Sequence, residues 1–332
     1  MTPRPAITAE HVRRAIATAL DHRAGGNDDW RIGGPVVRAR HSRIFLAHTP
    51  LAPWPLAVKA FTAEVTPQAV EQQAANHARY HKAMSGREGL TVPALWAALP
   101  EHRILIMEWI DDPRIDMLLW WAGPRRDRRA ELLTAAGRWL RHFHRQSTLR
   151  PLALRTSERL KHIDDFLGGE KGAGRRMPDQ VFSSGYELLC RWASELDGTQ
   201  VDHDEPHGDF VPRNLFHGSH RTVGLDFKPR RPHPPIRDIF HFLVQAESRK
   251  SLLRRHNAFV ARDREYPGLD PFLAGYGPLS QAADDTLIRF FQLAEVLSCW
   301  AKLINRRRAR FRHPIMAARL RRMASHAVAT AP

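Results

Sequence analysis

A chain of 332 residues, 43% apolar, 26% charged and 8% aromatic, is long enough to bury one large core or two modest lobes, and its composition is that of an ordinary globular protein. No uninterrupted apolar run of about 18 residues occurs, which excludes a membrane-spanning helix. Two cysteines, Cys190 and Cys299, exclude a disulfide framework and a four-cysteine zinc site, and both read as buried thiols. The formal net charge of +16 raises nucleic acid or an anionic surface as a partner. Against this, only seven of the 51 cations are lysine, and the arginines are scattered through every segment rather than gathered in one tail. The densest cluster, Arg306 to Arg312, reads as a solvated helix face, with peripheral contact to phosphates or an anionic surface as the alternative. The opening residues Met1 to Ala6 lack the basic stretch and apolar run of a secretory signal, so a cytoplasmic location is expected.

Taken in chain order, residues 1–29 form a polar lead-in. Val36 to Arg40, Arg43 to Ala47 and Leu56 to Phe61 read as three antiparallel strands, the last preceded by the proline-rich stretch Pro50 to Pro55. Residues 67–84 contain no glycine and start on Pro67, which suits a first helical turn. Arg103 to Ile110 is a nearly continuous apolar run halted by Asp111-Asp112-Pro113, as in a buried central strand. Beyond Pro113 the pattern becomes helical. Residues 126–146 place Leu132, Leu133, Ala136, Leu140 and Phe143 on one stripe, and further helices are predicted around 154–167 and 178–196, separated by the glycine-rich loop Gly168 to Gly174. The boundary predicted from this change of character lies near residue 112, giving an α+β chain with a strand-rich lobe at 30–112 and a mostly helical lobe at 113–332.

The chemistry concentrates in Pro206-His207-Gly208-Asp209-Phe210-Val211-Pro212-Arg213-Asn214, followed by Thr222-Val223-Gly224-Leu225-Asp226-Phe227. Phosphoryl transfer needs a carboxylate beside the attacking hydroxyl and oxygen ligands for the magnesium that neutralises a triphosphate. Asp209, Asn214 and Asp226 supply such a set. Pro212 and the five-residue offset from Asp209 to Asn214 imply a loop that doubles back, and Asp226 ends a short apolar strand where hard oxygen ligands suit magnesium.

This pattern of His-Gly-Asp, four residues, Asn, and then Asp-Phe a dozen residues on resembles the aminoglycoside phosphotransferase and choline kinase-like families, over roughly residues 33–245. The resemblance implies a two-lobed protein-kinase-like fold, with a small strand-rich N-terminal nucleotide-binding lobe and a larger helical lobe carrying catalysis and substrate. It implies ATP and Mg2+ as cofactors, Asp209 as catalytic base or hydroxyl orienter, and Asn214 and Asp226 as metal ligands. Lys59 becomes the strand lysine that holds the α- and β-phosphates, and Met107, Glu108, Trp109 and Ile110 the hinge that binds adenine. His207 and Asp238 become structural supports of the catalytic loop. Three departures stand out. Gln73 occupies the place of the helix glutamate that pairs with the lysine, with Glu71 or Glu64 as substitutes. Arg40, His41 and Ser42 replace the glycines of a phosphate-covering loop, Arg40 and Ser42 being the nucleotide-binding candidates there. Lys228 puts a cation close to the metal site, where it either binds phosphate or competes with magnesium.

Three other readings compete. A metal-dependent hydrolase would use the cluster Asp202, His203, Asp204, His207 and Asp209, but no Gly-Asn-His followed by an acid is present, and 19 histidines make chance neighbours expected. A sequence-specific nucleic-acid module lacks the aromatic and glycine signatures of the common RNA folds. The departures above also allow a catalytically degenerate pseudokinase serving as a binding scaffold. The expected activity is ATP- and magnesium-dependent phosphorylation of an alcohol group on a small molecule. Polycationic aminoglycosides call for carboxylates, whereas the second lobe is rich in arginine, so a sugar, a lipopolysaccharide or capsule precursor or another neutral or anionic metabolite fits better.

Overall fold

A computed structural model describes residues 7–20, 30–39, 41–85, 89–123, 125–168, 177–228, 231–248, 268–279, 285–304 and 313–331. The chain forms two compact units, Met1–Asp112 with Gly218–Phe227, and Pro113–His217 with Lys228–Pro332. A linear split near 112 leaves Gly218–Phe227 among the helices. The structure groups this segment with the strands instead, because Thr222 and Val223 pair in parallel with Leu90 and Thr91. Arg221 reinforces the attachment, its guanidinium reaching Glu108 at 2.7 Å and Asp112 at 2.8 Å.

The first unit begins with α1 (Ala9–Leu20), inside the stretch expected to be a polar lead-in. This helix is amphipathic, and its Val12, Ala15 and Ile16 are buried in one cluster with Phe45, Leu56, Val58, Ile104 and Ile106. At about 1.5–3 kcal/mol for each large aliphatic side chain removed from water, that burial outweighs the helix's polar composition. Next come β1 (Arg31–Arg38), β2 (Ser42–His48), β3 (Leu56–Phe61), α2 (Pro67–Met84), β4 (Leu90–Thr91), β5 (Leu95–Leu99) and β6 (Ile104–Glu108). An antiparallel sheet has the order β1-β2-β3-β6-β5. β1 starts five residues before the predicted strand and runs through Gly33, Gly34 and Pro35. It lies at the sheet edge with irregular register on either side of Pro35, and an edge is where a strand tolerates these residues. β4 and β5 have no counterpart in the sequence reading. β4 pairs with the strand Thr222–Gly224, β10 in chain order.

Alternation along β3 decides what the site receives. Leu56, Val58 and Ala60 enter the α1-side cluster. Phe61 joins a second cluster with Leu105 and with Val70 and Ala74 of α2. Lys59 shares the parity of Phe61, and its Nζ lies 5.4 Å from the Phe61 ring centre. α2 starts where predicted, with the Thr66 hydroxyl accepting from Ala69 N at 3.2 Å and Pro67 in the first turn.

The second unit contains α3 (Ile115–Trp121), α4 (Arg126–His144), β7 (Arg150–Ala153), α5 (Thr156–Leu167), α6 (Gln180–Leu196), β8 (Gln200–His203), β9 (Leu215–His217), α7 (Ile236–Ser248), α8 (Leu269–Tyr276), α9 (Asp285–Ile304) and α10 (His313–Ala329). The predicted stripe on α4 is buried throughout. α9 is buried on nearly every side, with α5, α6, α7 and α10 packed around it. Trp139 of α4 stacks on Phe210 at 5.8 Å between ring centres, and Phe210 on Phe242 of α7 at 4.9 Å, so the loop after Asp209 is anchored in the aromatic core. The predicted glycine-rich loop and the cluster Arg306 to Arg312 lie, apart from Gly168, outside the described residues.

α4 and α8 meet through two glycines. A Cβ on Gly137 would collide with the backbone of Phe272 and Tyr276, and one on Gly275 with the backbone of Thr134 and Arg138. Because backbone cannot move aside as a side chain can, Gly137→Ala is expected to lower stability by about 1–3 kcal/mol despite its higher helix propensity. Urea denaturation checks this, and an undiminished midpoint would disprove the close approach.

Candidate active site

In the first unit, Lys59 Nζ lies 2.6 Å from Asp226 Oδ1, with the lysine largely shielded and the aspartate half exposed. Asp226 has φ +61°, one of two described non-glycine residues in the left-handed region. Such a conformation costs of order 1 kcal/mol and persists where the surroundings impose it. Here Phe227 is pinned against Tyr80 of α2, with ring centres 4.6 Å apart, and the ammonium of Lys59 holds the carboxylate.

The described ion pair of Lys59 is with Asp226. Gln73 is half-buried on α2, Glu64 lies 2.8 Å from His41, and Glu71 is exposed. One turn beyond Gln73, the buried His77 donates from Nε2 to Pro93 O at 2.7 Å. Burial pushes its pKa down and the nearby charge of Lys59 acts in the same direction, so the ring stays neutral. Ser42 is buried at the start of β2, while Arg40 lies outside the described residues. At the predicted hinge, the amides of Glu108 and Trp109 donate to Ala94 O and Pro55 O, both at 2.9 Å. Met107 packs against the α2-side cluster, Ile110 is buried, and Glu108 accepts from Arg221.

The second unit carries the His207-Gly208-Asp209 loop. Asp238, buried at the start of α7, accepts the His207 amide at 2.9 Å through Oδ2, and its other oxygen lies 3.7 Å from His233. Burial alone would raise its pKa, but His233 and His144 hold it well below the usual carboxylate range. The His207 ring is fully buried between Trp139, Phe143 and Phe210. Gly208 has φ +82°, and a Cβ there would strike Lys228 O, so this position admits only glycine. Asn214 donates from Nδ2 to Asp209 O at 2.9 Å and closes the predicted turn.

Around the Asp209 carboxylate stands a chain of alternating charges. Lys228 Nζ lies 2.6 Å from Oδ2, Arg213 3.4 Å from the same oxygen, and His241 Nε2 3.6 Å from Oδ1. His241 Nδ1 lies 2.7 Å from Glu295, which pairs with Arg159 at 2.9 Å. Burial alone would raise the pKa of Asp209, but His241 and Lys228 hold it well below the carboxylate range. Burial alone would lower that of His241, but Glu295 and Asp209 push it up to about 9. Glu295 is kept ionised against burial by His241 and Arg159. Sequence reasoning missed His241, Glu295 and Arg159. The available signals were His241 three residues after Asp238, hence on a neighbouring face of α7, and Glu295 alone in the apolar run Leu293 to Leu297.

Asp209, Lys228, His241 and Glu295 border a cavity of about 110 Å3. An ionised carboxylate at a cavity can accept the hydrogen bond of a hydroxyl group. Among the described residues no group of three or more His, Cys, Asp or Glu is disposed to hold a metal ion, so Asp202, His203, Asp204, His207 and Asp209 do not assemble as a hydrolase metal centre requires. Ser147 instead donates to Asp204, and His203 Nδ1 to Val201 O.

No protein-family model and no curated protein sequence matches this chain. Solved structures do resemble it. The choline/ethanolamine kinase family protein from Mesorhizobium loti has a TM-score of 0.61 at 14% identity, over 97% of this chain and 98% of that one. An amicoumacin kinase in complex with AMP-PNP and Ca2+ has a TM-score of 0.60 at 14% identity, over 94% and 92%. A glucosamine kinase in complex with glucosamine, ADP and inorganic phosphate has 0.58 at 12% identity, over 95% and 85%. The chain therefore has the α+β protein-kinase-like fold of these small-molecule kinases.

The raised pKa of His241 has a consequence for stability. Its folded value, about 9, exceeds the ordinary 6.5, so its charge stabilises the fold fully below pH 6.5, and the contribution is lost as pH rises through about 9. Removing one partner from this shielded chain by His241→Gln is expected to cost about 1–3 kcal/mol at pH 6.5, the deficit narrowing by pH 9.5. Urea denaturation of both proteins at the two pH values checks this. An equal deficit at both would show that His241 is uncharged.

Proposed function

We propose that the protein is an ATP- and magnesium-dependent phosphotransferase acting on a hydroxyl group of a small molecule, a sugar, a lipopolysaccharide or capsule precursor or another neutral or anionic metabolite rather than an aminoglycoside. The observation that carries the reading is the Asp209 carboxylate, held ionised at a cavity by Lys228 and His241 on a loop braced by Asp238 and closed by Asn214. The resemblance to kinases solved with AMP-PNP or with ADP and phosphate supports it.

In this reading Asp209 accepts the hydrogen bond of the acceptor hydroxyl and aims its oxygen at the γ-phosphorus. As that oxygen bonds to phosphorus, the bond from the γ-phosphorus to the bridging oxygen of the β-phosphate would break, ADP would leave, and the hydroxyl proton would pass late to Asp209 and from there to solvent. Lys59 would neutralise the α- and β-phosphates, with Arg40 and Ser42 as further candidates for phosphate contact, and Met107 to Ile110 would border the adenine. Asn214 and Asp226 would hold magnesium. Their donors fit it: Asn214 spends its amide N–H on Asp209 O and keeps its carbonyl oxygen as a ligand, while Asp226 offers a half-exposed carboxylate, both hard oxygen donors. Bound magnesium supplies neutralisation of the charge that develops on the transferred group. One observation favours a second reading, a pseudokinase scaffold: Lys228 already occupies the Asp209 carboxylate.

Calorimetric titration with ATP, with and without magnesium, tests the nucleotide site, and magnesium-dependent binding should disappear in Asp226→Ala. Asp209→Asn should keep that binding while lowering ADP formation with hydroxyl acceptors by about 10²–10⁴-fold. Nucleotide binding with no turnover in the unsubstituted protein selects the scaffold. Unchanged turnover in both variants removes the phosphotransferase assignment.

A further inference from the structure

A second, larger cavity of about 790 Å3 adjoins the one that carries Asp209, the two sharing Arg159, His162, His233 and Arg237 in their walls. Its walls come from the first turns of α5 and α7 and the segment just before α7, so helix N-termini add to a local excess of positive charge. Arg155, Arg231 and Arg237 line it, and Glu158 is the one carboxylate among its described lining residues. Glu158 does not neutralise the group. It lies 3.9 Å from Arg155 and 3.7 Å from Arg231, and those side chains remain 72% and 83% exposed. Arg159 is committed to Glu295, and burial pushes the pKa of His233 down to about 3, leaving that ring neutral. Leu152, Leu154 and Phe291 supply an apolar wall.

We propose that this cavity is the acceptor subsite and that the acceptor is an anion, a hydroxyl compound whose phosphate or carboxylate group is held by Arg155, Arg231 and Arg237 while its hydroxyl reaches Asp209. The inference rests on the phosphotransferase reading for the role of Asp209, but the binding of an anion here does not. Guanidinium groups match planar carboxylate and phosphate oxygens through paired hydrogen bonds. A polycation would instead face three guanidiniums across a single carboxylate. The volume exceeds what an inorganic ion fills and falls within the range of small-molecule sites.

The test titrates the full chain by calorimetry, without nucleotide and at about 0.15 M ionic strength, where long-range attraction by the general positive charge is screened. The probes are glucose 6-phosphate, glucuronate, glucose and glucosamine. The expected result is binding of glucose 6-phosphate or glucuronate, the stronger naming the group recognised, at least about tenfold tighter than glucose or glucosamine, and weakened at least about tenfold by Arg155→Gln with Arg231→Gln. Both side chains are solvent-facing, so the double variant should fold, as its thermal denaturation will show. A control, Arg13→Gln with Arg14→Gln on α1, removes the same charge from an exposed helix elsewhere and should bind as the unsubstituted chain does. Glucosamine or glucose binding as well as the anions, equal loss in the control, or no binding of either anion overturns the proposal. Titration with ATP and magnesium alongside keeps the two readings apart. Failure there with arginine-dependent anion binding intact removes the kinase reading alone, and transfer to glucosamine in preference to the anions removes this inference alone.

Discussion

The Asp209 carboxylate is held mostly away from water and must nevertheless stay charged, a demand that organises the helical unit around it. An ion shielded from solvent costs several kcal/mol unless countercharges stand close by. Here the countercharges come in series, Lys228 and His241 on Asp209, Glu295 on His241, Arg159 on Glu295. Lys228 is half exposed, but His241, Glu295 and Arg159 are each shielded enough to need the next, so the chain runs from the loop through α7 and α9 to α5. The same network holds the pKa of Asp209 well below the usual carboxylate range, so the carboxylate stays charged at the cavity it borders.

The backbone obeys the same demand. Asp238 accepts the His207 amide, Asn214 donates to the carbonyl of Asp209, and Gly208 presses so close to Lys228 that no side chain fits. Phe210 anchors the loop between Trp139 and Phe242. With the loop overdetermined in this way, the position of the carboxylate follows from packing rather than from its own contacts. In the strand-rich unit Lys59 pairs with Asp226, and backbone strain at Asp226 is offset by Phe227 against Tyr80.

Much of this was legible because it is local. The 3.6-residue stripe of Leu132, Leu133, Ala136, Leu140 and Phe143 and the Pro67 start of α2 each lie within one element, where side-chain period and burial are tied together. The turn from Asp209 to Asn214 was visible because Pro212 and the five-residue offset lie within one short segment, which Asn214 closes on Asp209 O. The polar composition of residues 9–20 hid α1, whose helix is explained only by the sheet it covers. β1 escaped because Gly33, Gly34 and Pro35 are read as breakers until its edge position is known.

By itself, then, the sequence determined the two kinds of architecture and the turn from Asp209 to Asn214, since each depends on residues a few positions apart. Tertiary structure alone decided that Gly218–Phe227 belongs with the strands, that Lys228 and His241 share Asp209, that Glu295 pairs with Arg159, and that arginines on α5 and before and within α7 line one cavity. Those partners stand up to 136 residues apart, as Arg159 and Glu295 do. Charge pairing at such separations leaves no period or spacing in the chain, because any of 51 cations could meet any of 35 acids until packing selects among them.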